Sequence, residues 1–194
     1  MVKGYLWGEW WMEKRIFIVR HCEAEGQPAE ASLTKKGFGQ ADALADFFKG
    51  FEVDRIISSP FLRAIQTIEP LAKEKSIEMT IDERLSERIL SGMNLPDWMD
   101  KLKETFSDLQ LELEGGESSQ MAMDRAFSVV KGVLKEEVNT TIIVTHGNLM
   151  ALLIKYFDQE FGFEGWRKLT NPDVFLLRYN EEGAKIDRVF YEHK

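Results

Sequence analysis

The sequence predicts an α/β fold: a three-layer α/β/α domain with a mostly parallel sheet and an antiparallel C-terminal hairpin. Three observations carry this prediction. Short β-rich runs (Ile16 to Val19, Val53 to Ser58, Ile77 to Ile81, Thr141 to Thr145) are separated by segments whose apolar residues recur every three or four positions. Strands alternating with helical patterns imply a largely parallel sheet with both faces covered. Finally, Val174 to Tyr179 and Lys185 to Tyr191 flank a turn at Glu181-Glu182-Gly183, the pattern of a hairpin.

The elements follow in order. Residues 1–13, with Trp7, Trp10 and Trp11, read as a leader that either packs on the body or stays flexible; a single domain is expected over 14–194. After the first strand, Glu23 to Ser32 is polar and holds Gly26 and Pro28, which makes it a loop. Thr34 caps a helix from about Lys35 to Lys49, with Phe38, Ala41, Ala45 and Phe48 as its buried stripe. Ser59-Pro60 ends the second strand and starts a helix whose inner face is Leu62, Ile65, Ile68, Leu71 and Ala72. Helical spacing resumes over Trp98 to Leu111. Past the turn at Glu114 to Glu117 it returns through about Glu137, with Met121, Ala122, Ala126, Val129, Val130 and Val133 facing inward. A last helix runs from His146 to Phe157.

Composition narrows the function. The 194 residues suffice for one domain with a substantial core. No apolar run reaches the length of a membrane span, and the N-terminal residues lack the apolar core of a signal peptide, so a cytoplasmic, membrane-free protein is expected. One cysteine, Cys22, excludes an internal disulfide. A net charge of -8 argues against nucleic-acid binding and repels phosphorylated ligands at long range. A phosphate site in such a chain must be a local cluster of arginines.

Such a cluster is visible. Arg20-His21-Cys22-Glu23 follows the first strand directly, and His146-Gly147-Asn148 follows the fourth. In open α/β sheets, ligands bind at the carboxyl ends of the strands. Two imidazoles delivered there can converge on one crevice. A neutral imidazole can attack phosphorus, and fixed guanidinium groups stabilise the charge spread over a transferring phosphoryl group. Arg20 adjoins His21, and Arg63 opens the helix after Ser58-Ser59-Pro60, where the helix dipole also favours anions. A leaving alkoxide needs a proton, and Glu87 and Glu117 are the two loop-borne carboxyl candidates. Cys22 beside His21 is awkward for zinc, and no CxxC or HxxxH spacing accompanies it; neither metal nor cofactor is expected. His193 reads as structural or surface-exposed.

Six segments, in this order, resemble the histidine phosphatase superfamily, the phosphoglycerate-mutase-like group. They are Arg20 to Glu23, Leu33 to Ala41, Ser58 to Thr67, Leu85 to Glu87, Gly116 to Ser118 and Val144 to Gly147. The resemblance implies that His21 is a phosphohistidine nucleophile, that Arg20, Arg63 and His146 grip the phosphate, and that Glu87 is the acid with Glu117 in reserve. Gln27, Arg88, Glu117, Gly147 and Asn148 are the candidate substrate contacts, although Arg88 also reads as a surface or salt-bridge residue. The chain departs from the family pattern at Cys22, where glycine is usual, and at Ala24 and Gln27, where a hydroxyl residue and an asparagine are common. Cys22 then either projects beside the nucleophile or packs as a small core residue.

The expected activity is a metal-independent phosphomonoesterase acting on a phosphorylated small molecule. Phosphoglycerate mutase-type transfer and a non-catalytic phospholigand-binding protein are the alternatives. The short stretch between Glu87 and Gly116 favours hydrolysis, because mutases of this family usually carry a longer insertion there. Met93 to Trp98 is expected above the pocket. The sequence carries no pattern that sets an oligomeric state.

Overall fold

The computed structural model describes residues 13–191. The tryptophans of the expected leader and His193 lie outside the described residues. Six strands form one sheet: β1 (Lys14–Arg20), β2 (Arg55–Ser58), β3 (Met79–Ile81), β4 (Thr140–Thr145), β5 (Asp173–Asn180) and β6 (Gly183–Tyr191), in the order β3-β2-β4-β1-β5-β6. β1, β2, β3 and β4 pair in parallel; β5 is antiparallel to both β1 and β6. Only β5 therefore runs against the other five.

Strand alternation divides the core into two. Phe17, Val19, Ile56, Ile142 and Val144 face α1 (Lys35–Phe48) and α2 (Leu62–Lys75), packing with Leu44, Phe48, Ile68 and Leu71. Ile16, Ile18, Ile57 and Ile143 point the other way, into a cluster built with α3 (Trp98–Ser107), α4 (Ser119–Val133) and α5 (Gly147–Phe157). Every residue of β4 is buried, as a central strand covered on both faces requires. α5 is apolar almost all round, and its residues from Gly147 to Ile154 are buried.

Several elements differ from the sequence expectation. Phe38 is 46% exposed, while Gly37, Gln40, Ala41, Leu44, Ala45 and Phe48 form the buried face of α1. The cause is close docking at Gly37, where a Cβ would sit 2.0 Å from the Glu23 carbonyl oxygen. Met121 is likewise exposed, at the first turn of α4, and Leu62 and Ile65 are only half-buried because Arg63, Ala64 and Thr67 take the inward positions of α2. α3 stops at Ser107 because Asp108 turns extended and its side chain accepts from the Gln110 N–H, an alternative to the helix ladder. α4 tightens after Val133 into bonds from Lys135 and Glu136 back three residues. A single 3-10 turn (Glu83–Leu85) and the short α6 (Phe163–Arg167) had no periodic signal to announce them.

Gly37 generates a testable consequence. Gly37→Ala is expected to destabilise the domain by about 1–3 kcal/mol in urea unfolding, since neither helix nor loop can yield 1 Å without repacking. An unchanged midpoint would mean that the α1 contact is looser than the geometry indicates.

Candidate active site

Strand register brings the two histidines together. β1 and β4 pair with Arg20 opposite Thr145, so His21 and His146 leave neighbouring strands at the same height. The His21 N–H donates to the Thr145 carbonyl at 3.0 Å, and the two ring centroids lie 5.1 Å apart. β2 ends beside them: Ser59 N–H bonds the Val144 carbonyl, which sets α2 and Arg63 against the same end of the sheet.

His21 has a defined tautomer. Its Nδ1 lies 2.6 Å from the Cys22 carbonyl oxygen, which can only accept, so Nδ1 carries the hydrogen. Nε2 then keeps its lone pair and accepts from Arg63 Nε at 3.2 Å. Burial lowers the His21 pKa to about 3; the Cys22 hydrogen bond opposes this, and Arg20 and Arg63 add to it. The ring is neutral at pH 7. Burial, reinforced by His21, Arg63 and Arg20, depresses His146 to about 2. His146 Nε2 bonds Ser59 Oγ at 2.7 Å, and its buried Nδ1 has no partner.

The cations are held in fixed positions. Arg63 is fully buried and donates Nη1 to the Gln27 and Pro28 carbonyls, with its guanidinium 4.8 Å from the Phe61 ring centre. Arg20 donates Nη1 to the Leu169 and Thr170 carbonyls, and its buried Nε is unpartnered. It lies so close to Gly147 that a Cβ there would be 3.1 Å from the guanidinium carbon. A larger residue at the start of α5 would therefore have to push the Arg20 guanidinium aside by a few tenths of an ångström. Glu87 accepts the N–H groups of Asn148, Leu149 and its neighbour Arg88, which pins its carboxyl group at the N-terminus of α5.

A cavity of about 390 Å³ opens here, lined by Arg20, Gln27, Glu87, Arg88, Leu90, Trp98, Leu102, Gly147, Asn148 and Trp166. Six of the sequence candidates, Arg20, Gln27, Glu87, Arg88, Gly147 and Asn148, thus line it, whereas His21, Arg63 and His146 are not among its lining residues. Two expectations need correction. Arg88 is neither at the surface nor in a salt bridge: it is 6% exposed and donates to the Glu117 carbonyl, Thr105 Oγ1 and Ser119 Oγ. Glu117 does not line the cavity. Its carboxylate takes two bonds from Arg125, whose Nη1 also holds the Arg84 and Ser86 carbonyls, so the pair braces the loop that carries Glu87. Cys22 turns into a small cluster with Leu33 and Ala41, so its side chain packs as a core residue.

A supporting layer had not been singled out from the sequence. Thr67 Oγ1 accepts the Cys22 N–H and donates to the Arg63 carbonyl, tying the loop that follows β1 to α2. Gln40 accepts the Glu23 N–H and donates to the Asn171 carbonyl, while Asn171 Nδ2 donates to the His21 carbonyl. Thr67, Gln40 and Ser59 sit inside the matching segments and were findable there. Asn171 and Trp166 had no local signal. Among the described residues, no group of three or more His, Cys, Asp or Glu side chains gathers as a metal site.

A family model for the histidine phosphatase superfamily (branch 1) matches residues 16–191. The chain belongs to this superfamily. Phosphoserine phosphatase 1 of Hydrogenobacter thermophilus is 29% identical over 145 residues, covering 67% of this chain and 69% of that one. A Salmonella choleraesuis protein described as a probable phosphoglycerate mutase is 25% identical over 189 residues, 86% of each chain. Among solved structures, mycobacterial glucosyl-3-phosphoglycerate phosphatase superposes with a TM-score of 0.72 at 19% identity, covering 94% of this chain and all of that one. The histidine phosphatase fold is thus shared across phosphatase and mutase relatives.

The buried neutral histidines have a pH signature. Both pKa values lie below the ordinary 6.5, so below that pH the unfolded chain binds two protons that the native state refuses. This contribution to stability is complete above about pH 6.5 and is lost on acidification toward pH 3, at up to about 1.4 kcal/mol per histidine per pH unit. Urea unfolding between about pH 7 and pH 4 should show a shallower pH slope for His21→Gln/His146→Gln than for the parent. Equal slopes would contradict the neutral pair.

Proposed function

We propose that the protein is a phosphomonoester hydrolase working through a phosphohistidine on His21. The observation that carries this reading is the His21 tautomer: Nδ1–H is committed to the Cys22 carbonyl, and the Nε2 lone pair faces the Arg63 guanidinium. An incoming phosphate takes Arg63's N–H and frees that lone pair. Nε2 then attacks phosphorus in line, and the bond from phosphorus to the ester oxygen breaks. Arg20, Arg63 and the unpartnered Nδ1 of His146 bear on the phosphoryl oxygens as their charge spreads.

Glu87, on the cavity wall beside Arg20, gives its proton to the departing alkoxide. It then takes a proton from the water that attacks the phosphohistidine, which returns His21 and releases inorganic phosphate. Gln27, Arg88, Gly147 and Asn148 contact the substrate; Glu117 acts through Arg125 as a support. The guanidinium groups supply the positive charge, so no step calls on a metal or cofactor.

The substrate is a phosphorylated small molecule, as the name of the Hydrogenobacter relative suggests, and the cytoplasm is the proposed location. Among the described residues no helix is long and apolar enough to cross a membrane. Phosphoryl return to an acceptor, as the mutase relative's name implies, is the second reading. The open, half-exposed Trp98 side of the pocket favours water as the acceptor.

Hydrolysis of an aryl phosphate is expected with and without a chelator, and His21→Ala should abolish it. Glu87→Gln should lower kcat by about 10²–10⁴, least for the most acidic leaving alcohols. Rapid acid-free quenching should trap an alkali-stable, acid-labile phosphoenzyme in the parent and none in His21→Ala. Full turnover by His21→Ala would overturn the nucleophile, and turnover only with a bisphosphoglycerate primer would favour the mutase.

A further inference from the structure

The cavity lining also holds two tryptophans, and no bond-making or bond-breaking step described above involves them. Trp98, at the start of α3, and Trp166, on α6, meet edge to face with ring centres 6.4 Å apart and planes at 89°. Trp166 is braced from behind. It stacks on Phe163 at 5.4 Å and 28°, and Phe163 meets the buried Phe106 edge-on at 6.2 Å. Leu90 and Leu102 complete this wall. Trp98 remains 47% exposed, so its ring is available to a ligand.

A second observation concerns the polar part of the lining. Arg88 and Asn148 are 6% and 9% exposed and line the same space, yet Arg88 Nη2 and both polar atoms of the Asn148 carboxamide have no hydrogen-bond partner. Buried polar atoms without partners are costly unless a ligand or water satisfies them. The aromatic corner and the polar wall together describe a ligand with a flat apolar part and a hydrogen-bonding substituent. A phosphate on a two- or three-carbon polar alcohol would leave the tryptophan faces wet.

We propose that this corner is the leaving-group subsite, and that preferred substrates are phosphomonoesters whose alcohol carries an aromatic ring, with an acceptor group toward Arg88 and Asn148. The ring packs into the angle between Trp98 and Trp166 in the offset or edge-to-face geometry that aromatic groups prefer. This rests on the phosphohydrolase reading and names the substrate class for the same site.

The test compares 3-phenylpropyl phosphate with propyl phosphate. Their alcohols have nearly the same acidity, so a difference in kcat/KM reports contact with the ring and not leaving-group chemistry. A favourable apolar contact of this size should raise kcat/KM for the phenyl substrate by about tenfold or more. The ratio should fall toward unity in Trp98→Ala and in Trp166→Ala. Trp98 is half-exposed at a helix start, so the first variant keeps the test usable where the second disturbs α6. Equal turnover of the two esters by the parent, or a ratio unchanged in Trp98→Ala, overturns the subsite while leaving the hydrolase reading intact. Hydrolysis of an aryl phosphate with neither ester turned over overturns the subsite alone, and hydrolysis of none of the three removes the hydrolase reading as well.

Discussion

The parallel pairing of β1 with β4 is the constraint on which the site depends. One register, with Arg20 opposite Thr145, sends two imidazoles out of the sheet side by side. A shift by one residue would reverse the faces of Ile16, Phe17, Ile18 and Val19, moving each pair into the wrong core cluster. The two hydrophobic clusters therefore do more than stabilise the fold. They hold the register, and the register holds the histidines, so the core and the site are specified together.

Around that pair the protein arranges charge on a small scale. The chain carries a net charge of -8, yet the strand ends gather two guanidinium groups against neutral rings. Burial keeps both imidazoles uncharged, and backbone carbonyls fix the arginines instead of carboxylates. Carbonyls of residues 27, 28, 169 and 170 take the bonds that an ion pair would otherwise take. Among the described residues, neither guanidinium is hydrogen-bonded to a carboxylate, although the Glu87 charge lies near enough to act on both.

Much of this was legible in the sequence because it is local. Strands showed as β-branched runs, helices as three-and-four spacing, and the strand-end motifs placed His21, His146, Arg20 and Arg63. What escaped was set by contacts between distant segments. Phe38 looked buried from its spacing, but the close approach of Gly37 to Glu23 rotates α1 by one position. Arg88 looked like a surface cation, yet Thr105 and Ser119, seventeen and thirty-one residues away, bury it. Glu117 lay in a matching segment, but which acid it resembled said nothing about the arginine that would capture it. Trp166 sits on a five-residue helix, too short for any periodic pattern.

The reversed direction of β5 has its own consequence. Because that strand starts at the catalytic end, the connection before it must cross the mouth of the site, bringing Trp166, the Leu169 and Thr170 carbonyls and Asn171 with it. His21, Arg20 and Arg63 come from segments anchored in the sheet and α2, whereas this crossing loop is held by side-chain bonds to its backbone from Lys168 to Asn171 and by packing of Phe163, Trp166 and Leu169. Substitution around Trp166 can therefore reshape the cavity wall while Arg20 and the His21 backbone stay braced, provided that the stretch from Leu169 to Asn171 survives.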